Sequence, residues 1–116
     1  MGYLETFFVV SLLVQFAHSI EELSTGFHKQ WYLFKMPFWV FLVFEITFSL
    51  FWIYVWLTPS LLHRDSFQIF FLVLMLVNGV QHIVWWRYAK KYVPGLITAP
   101  IHILVSSMFG TGAALF

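Results

Sequence analysis

Cysteine is absent from this chain. That removes disulfides and thiolate metal sites, and it leaves cysteine usage silent about redox compartment. Charge is scarce as well: 9% of residues are Asp, Glu, Lys or Arg, where a soluble domain carries about a quarter. Water cannot be the main solvent of such a surface. Nor is there an excess of either sign. Six Lys and Arg against five Asp and Glu leave a net charge of +1, too weak a field to hold nucleic acid as a partner. No stretch alternates as a barrel strand must, and 116 residues are few for a single-chain barrel. No Lys or Arg precedes Lys29, and no small-residue cleavage pattern follows the first apolar run, so no cleavable signal peptide is expected. Internal repeats, linkers and low-complexity segments are also missing, and a single domain over residues 1–116 is expected.

What fills the chain is apolar. Hydrophobic residues make up 61% and aromatics 22%, largely Phe, as suits an exterior that faces lipid. Four stretches near Tyr3–Ser24, Pro37–Leu57, Ser66–Tyr88 and Thr98–Phe116 each reach the ~20 residues needed to cross a bilayer. Turn chemistry separates them: Gly26 after the first, Pro37 in the first turn of the second, Pro59 at its end, and Pro94-Gly95 before the fourth. The fold class expected is all-α, an integral membrane four-helix bundle. Lys29 and Lys35 lie in the first connection, and Arg87, Lys90 and Lys91 lie around the third. The second has only Arg64, offset by Asp65. The positive-inside rule puts connections 26–36 and 89–97 in the cytoplasm and both termini outside. Aromatic belts agree, with Trp31, Tyr32, Trp85 and Trp86 on the cytoplasmic side and Tyr3, Trp52, Tyr54 and Trp56 on the other.

Ionisable groups inside a membrane are costly and normally face a bundle interior. At ~1.5 Å per residue, His18, Glu21, Glu22, Glu45, Asn78, His82 and His102 all fall within about 5–15 Å of the cytoplasmic interface. Each of the four helices thus delivers a ligand-type residue to one layer. Ser11, Gln15, His18 and Glu22 share one face of the first helix, and Asn78 and His82 are i, i+4 neighbours on the third. On the fourth, His102, Ser106, Gly110 and Ala114 form a stripe of mostly small residues that lets helices approach closely.

His18-Ser19-Ile20-Glu21-Glu22 reads H-x-x-E-E. With Asn78-x-x-x-His82 and the Pro94-Gly95…Thr98-Ala99 segment, the chain resembles, over nearly its whole length, the HXXEE family of small membrane proteins. The resemblance implies that His18, Glu21 and Glu22 matter and supplies no reaction.

The residues themselves suggest a metal site. His18, Glu22, Glu45, His82 and His102 are the candidate ligands, a donor set suited to zinc or iron and large enough for two ions. Helix bundles build such sites from inward Glu and His, usually as Glu-x-x-His, the reverse of the order here. Gln15 and Asn78 are candidates to fix a histidine tautomer. Glu21 and Glu22 are candidate catalytic groups, one of them serving as general base. Arg87, one turn beyond His82, is a candidate for an anionic substrate head group. The expected role is a membrane metalloenzyme acting by hydrolysis or oxidation on a lipid- or isoprenoid-like small molecule, with membrane lipid as its surroundings. Four short helices enclose little cavity, which leaves room for a homodimer. Other readings stay open: metal-free acid/base isomerisation, a proton-coupled transporter similar in size to small multidrug transporters, haem held by histidine pairs, or a polar knot that only locks helix packing in a structural or accessory subunit. His28 and His63 read as solvated loop residues, and Glu5 as an interfacial side chain.

Overall fold

A computed structural model describes residues 1–114. Among these residues the fold is all-helical. It comprises α1 (Tyr3–Ser24), α2 (Phe27–Gln30), α3 (Phe38–Leu57), α4 (Arg64–Ala89) and α5 (Ala99–Thr111). α1, α3 and α4 are long and apolar enough to cross a membrane; α5 is apolar but shorter. The expected boundaries of the first three spans hold to within about two residues, the ordinary fraying of helix ends. Gly26, at φ +82°, ends α1, and Pro37 caps α3 in extended conformation. α2 is a single turn inside the first connection.

The expected fourth stretch, Thr98–Phe116, is helical over Ala99–Thr111. Gly112 stops it in the left-handed region at φ +75°, and Leu115 and Phe116 lie outside the described residues. Thirteen residues span ~20 Å, less than the ~30 Å of a hydrocarbon core. The segment before it, 93–98, is non-helical, and in it Val93, Pro94, Gly95 and Thr98 are buried. Irregular backbone of this kind is tolerated in an apolar bundle where protein covers it.

The polar faces read from the sequence are interior: Ser11, Gln15, His18 and Glu22 are all buried on α1. Below them, Phe8, Leu12, Trp52, Val55, Phe71 and Met75 form one apolar cluster, and Phe7, Leu72 and Val105 another. Above them lie Phe27, Phe41, Trp85 and Val93. The close helix approach expected along α5 is made at His102 and Ser106, both buried, with Ser106 donating to the Leu72 carbonyl at 2.8 Å, and it is met by Gly79 of α4. A Cβ at Gly79 would stand 2.8 Å from the Ala99 carbonyl oxygen, whereas one at Gly110 would meet nothing within 4 Å. At the far end, Arg64 donates to the Val55 carbonyl at 3.1 Å and the Trp56 carbonyl at 2.7 Å and pairs with Glu5 at 2.8 Å. This joins α1, α3 and α4, so Glu5 is a bonded partner rather than a loose interfacial group. Tyr3 donates to the Ala113 carbonyl at 3.0 Å, which sets the start of α1 beside the end of α5.

Candidate metal centre

His18 and Glu22 are one helical turn apart on α1, so their side chains stack on one face. His82 reaches the same point from α4. The three donor atoms form a small triangle: His18 Nε2 to His82 Nε2 is 3.1 Å, His82 Nε2 to Glu22 Oε2 is 3.2 Å, and His18 Nε2 to Glu22 Oε2 is 3.5 Å. Both imidazoles are 0% exposed and Glu22 is 4% exposed. Donors at ~2.0–2.1 Å around a tetrahedral zinc ion stand roughly 3.3 Å apart, and the observed edges bracket that separation. Among the described residues these three are also the grouping whose donor atoms all lie within 4.8 Å of one another.

The protonation pattern follows from counting hydrogens. Glu21 points away from the triangle. It accepts from Tyr92 Oη at 2.5 Å, from the Ile97 and Thr98 backbone N–H groups at 3.0 Å each, and from Thr98 Oγ1 at 2.7 Å. Four donors fill a carboxylate. The Thr98 hydroxyl, having given its hydrogen to Glu21, can only accept from His18 Nδ1, which lies 2.5 Å away. His18 therefore carries its hydrogen on Nδ1 and presents a bare lone pair on Nε2. Glu22 adds carboxylate lone pairs. Within the triangle, the one hydrogen left to share is that of His82 Nε2. Three donor atoms thus converge in a buried place with at most one hydrogen between them. This arrangement fits a bound cation. The carboxylate–hydroxyl–histidine chain is the kind of outer support that fixes the tautomer of a metal ligand.

A second chain runs the same way. Ser19 donates to Glu45 Oε2 through a short hydrogen bond, Gln15 Nε2 donates to Ser19 at 3.2 Å, and Gln15 Oε1 accepts from His102 Nε2 at 3.1 Å. His102 is thereby left with a bare Nδ1, which is buried and without a partner. Its ring centroid is 5.2 Å from that of His18. His102 and Glu45 adjoin the triangle without completing it. The His82 Nδ1 atom also lacks a partner, because Gly95 sits over it. A Cβ at Gly95 would fall 2.5 Å from His82 Cε1 and 2.8 Å from His18 Cε1. With φ at +94°, Gly95 can lay the backbone of the 93–98 segment directly on both imidazoles.

A cavity of about 690 Å³ adjoins the centre, with Glu22, Glu45, Gln15 and Asn78 on its polar side. Asn78 accepts from Gln81 at 3.2 Å and stands on this wall rather than against a histidine ring. Arg87 lines a separate hollow with Trp86, Tyr88 and Lys90, away from Glu22 and Glu45. Outside the helices, burial first and then the hydrogen bond to Glu21 push the Tyr92 phenol above its usual value near 10. His28, read as a solvated loop residue, is half-buried, with its ring 5.3 Å from Phe38; His63 is exposed.

Thr98, Gly95, Ser19 and Tyr92 bond to or pack on the candidate residues without having been singled out for the site from the sequence. Ser19 had a signal, since it lies inside the His18–Glu22 motif and one turn from Gln15. Gly95 and Thr98 had a weaker one, lying in the Pro-Gly segment that accompanies the motif. A family model described as a protein of unknown function with HXXEE motif matches residues 7–109. No curated protein and no solved structure matches the chain.

Proposed function

The chain belongs to the HXXEE-motif family, whose defining residues carry no assigned reaction, and we propose that it is a four-crossing membrane metalloenzyme. His18, Glu22 and His82 hold a divalent ion, zinc or iron. The substrate is a lipid- or isoprenoid-like molecule, and the reaction is hydrolysis or oxidation. The observation that carries this reading is the convergence of three buried donor atoms, 3.1–3.5 Å apart. Such a set, left without a cation, would keep lone pairs buried and opposed, at a cost of about 1–3 kcal/mol per unsatisfied group.

A divalent ion bound there would supply Lewis acidity and lower the pKa of a coordinated water toward ~7. The chain's own residues have distinct tasks. Glu21 and Thr98 hold His18 in the ligating tautomer. Glu22 both ligates and lines the cavity. Glu45 lines the same cavity beside Glu22 and serves as general base; together their carboxylates balance a dication. His102, with its bare Nδ1, stands ready to accept a proton or a water. The basic residues of the first and third connections orient this end of the bundle toward the cytoplasm, with both termini outside. Metal-free acid/base chemistry would use the same residues, with a proton in place of the ion, and the single shared hydrogen favours it as the second reading.

Elemental analysis of the purified protein separates the two. About one zinc or iron per chain is expected, and His18→Ala or Glu22→Ala should remove it while the variants remain folded by circular dichroism. Wild-type protein without stoichiometric metal, after purification free of chelators, would falsify the metalloenzyme reading.

A further inference from the structure

We infer that the substrate of this centre is an uncharged, single-chain amphiphile that enters sideways between α3 and α4. The inference rests on the reading of the centre given above and adds to it the chemistry of the head group and the route of entry. The cavity beside Glu22 lies between α3, α4 and the first connection. Its outer rim includes Val40, Phe44 and Val77, which are exposed on the bundle surface. In a membrane that surface meets acyl chains, so the mouth opens to lipid rather than to water. Within, Phe41, Phe48 and Met75 supply apolar walls.

Size restricts the occupant. About 690 Å³ lies within the ordinary range of small-molecule sites. At ~30 Å³ per water-sized group it has room for one long chain with its head.

Charge restricts it further. The polar groups of the lining are two carboxylic acids, Glu22 and Glu45, the amides Gln15, Asn78 and Gln81, and the uncharged Tyr32 phenol and Trp31 indole. Neither Lys nor Arg is among them; Arg87 and Lys90 line the other hollow. A phosphate, pyrophosphate or carboxylate head brought to this wall would meet acceptors of its own sign. An ion on His18, Glu22 and His82 does not reverse this when Glu45 is ionised, because the two carboxylates then offset two positive charges. Amides donate and accept equally, so a hydroxyl, ketone, ester or amide head finds partners where an anion does not.

The test uses the full chain in vesicles of di-unsaturated phosphatidylcholine, metal-loaded and again after chelator treatment. The probes are 9,10-dibromo-octadecanol and 9,10-dibromo-octadecyl phosphate, which quench nearby tryptophan. Trp31 lines the cavity, and Trp31→Phe identifies its share of the signal. The alcohol should quench Trp31 saturably, with at least tenfold higher affinity than the phosphate. Val77→Trp and Val40→Trp, both at exposed rim positions, should each weaken the alcohol at Trp31 at least tenfold. Each is measured also in the Trp31→Phe background, so that the new indole's own quenching is subtracted. Equal or tighter binding of the phosphate would overturn the inference, as would alcohol binding that neither rim variant alters. A dimer that closes the mouth, detected by cross-linking and dispersed by Val77→Trp, would also overturn it. Because the metal-free protein is measured too, a missing metal overturns the catalytic reading alone, and tight phosphate binding overturns this inference alone.

Discussion

Thr98→Val isolates the device that sets the His18 tautomer. Valine keeps the shape of threonine and removes the hydroxyl. Two bonds go with it, His18 Nδ1 to Oγ1 at 2.5 Å and Oγ1 to Glu21 at 2.7 Å. Glu21 keeps its other three donors, Tyr92 and the Ile97 and Thr98 N–H groups, so its carboxylate stays in place and the damage is confined to His18. The ring then has two poor options. It can keep its hydrogen on Nδ1, buried and unpartnered, at a cost of about 1–3 kcal/mol. Alternatively it can move that hydrogen to Nε2, where it must be displaced before a metal binds. Outer partners of this type change metal affinity by about 10–100-fold, which is about 1.4–2.7 kcal/mol. Cobalt titration followed by visible absorption, with zinc competition, measures this directly. Thermal unfolding of the metal-free variant reports the packing cost separately. Thr98→Ser should restore affinity to within a few-fold of wild type. If Thr98→Val binds cobalt within twofold of wild type, or if serine is as damaging as valine, the hydroxyl does not set the tautomer.

Two glycines should respond to alanine with opposite signs. Gly95→Ala drives a Cβ to 2.5 Å from His82 Cε1 at φ +94°; strained backbone alone costs about 1–3 kcal/mol, so both thermal stability and metal affinity should fall. Gly110→Ala meets nothing within 4 Å and should stabilise α5 by about 0.5–1 kcal/mol. Parallel melting curves decide, and a tolerated Gly95→Ala would refute the packing of the 93–98 segment on the imidazoles. Tyr92 governs the alkaline limb. Its phenol is held above 10 by burial and by Glu21, so its contribution is complete below pH 10 and is lost as pH rises through the folded value. Tyr92→Phe should cost about 1 kcal/mol at neutral pH and flatten the decline of the melting temperature above pH 10. Equal alkaline slopes in the two proteins would count against the Glu21 bond.

Much of this arrangement is legible in the sequence because hydropathy and helical geometry act over short range. α1 could be read to its last residue, since no proline or glycine breaks it between Gly2 and Gly26 and its buried polar residues share a face. The meeting of His18, Glu22 and His82 follows from counting depth along α1 and α4, which run parallel on either side of α3 in chain order, so that one turn on α1 and a matching depth on α4 fix the position of each side chain. Contacts made by non-helical backbone are not accessible that way. Glu21 and Glu22 are neighbours in the motif, yet a 100° step between them sends one to the histidines and the other to the 92–98 segment, more than 70 residues away. The segment that receives Glu21 is shaped by Pro94 and by Gly95 at positive φ, and periodicity says nothing about where its hydroxyl and N–H groups point. The small-residue stripe on α5 was legible in part, since His102 and Ser106 face α4 as its spacing implies while Gly110 meets nothing. Spacing identifies a face that permits close approach, while the partner's own small residue, Gly79 on α4, decides where approach occurs.

The two hydrogen-bonded chains explain why a buried histidine cluster should be stable with its lone pairs turned inward. Each begins at a carboxyl group, Glu21 or an ionised Glu45, that in that form can only accept. Each passes through groups that must then donate toward it, Thr98 in one case and Ser19 with Gln15 in the other. Each ends at a ring nitrogen that has given its hydrogen outward, on His18 and on His102. Direction is imposed from the carboxylates, and the opposite ring nitrogen is left bare. A cluster kept only for helix packing would gain from the reverse polarity, with N–H groups facing one another's acceptors and no lone pair opposed. Replacing Ser19 by Ala tests this directionality on the second chain: freed from Glu45, Gln15 can flip its amide, and His102 can then move its hydrogen to Nδ1. The variant should shift the nitrogen-15 resonances of His102 toward the other tautomer while leaving those of His18 in place. If both histidines shift together, the two chains are not independent, and the inward lone pairs have some cause other than the carboxylates.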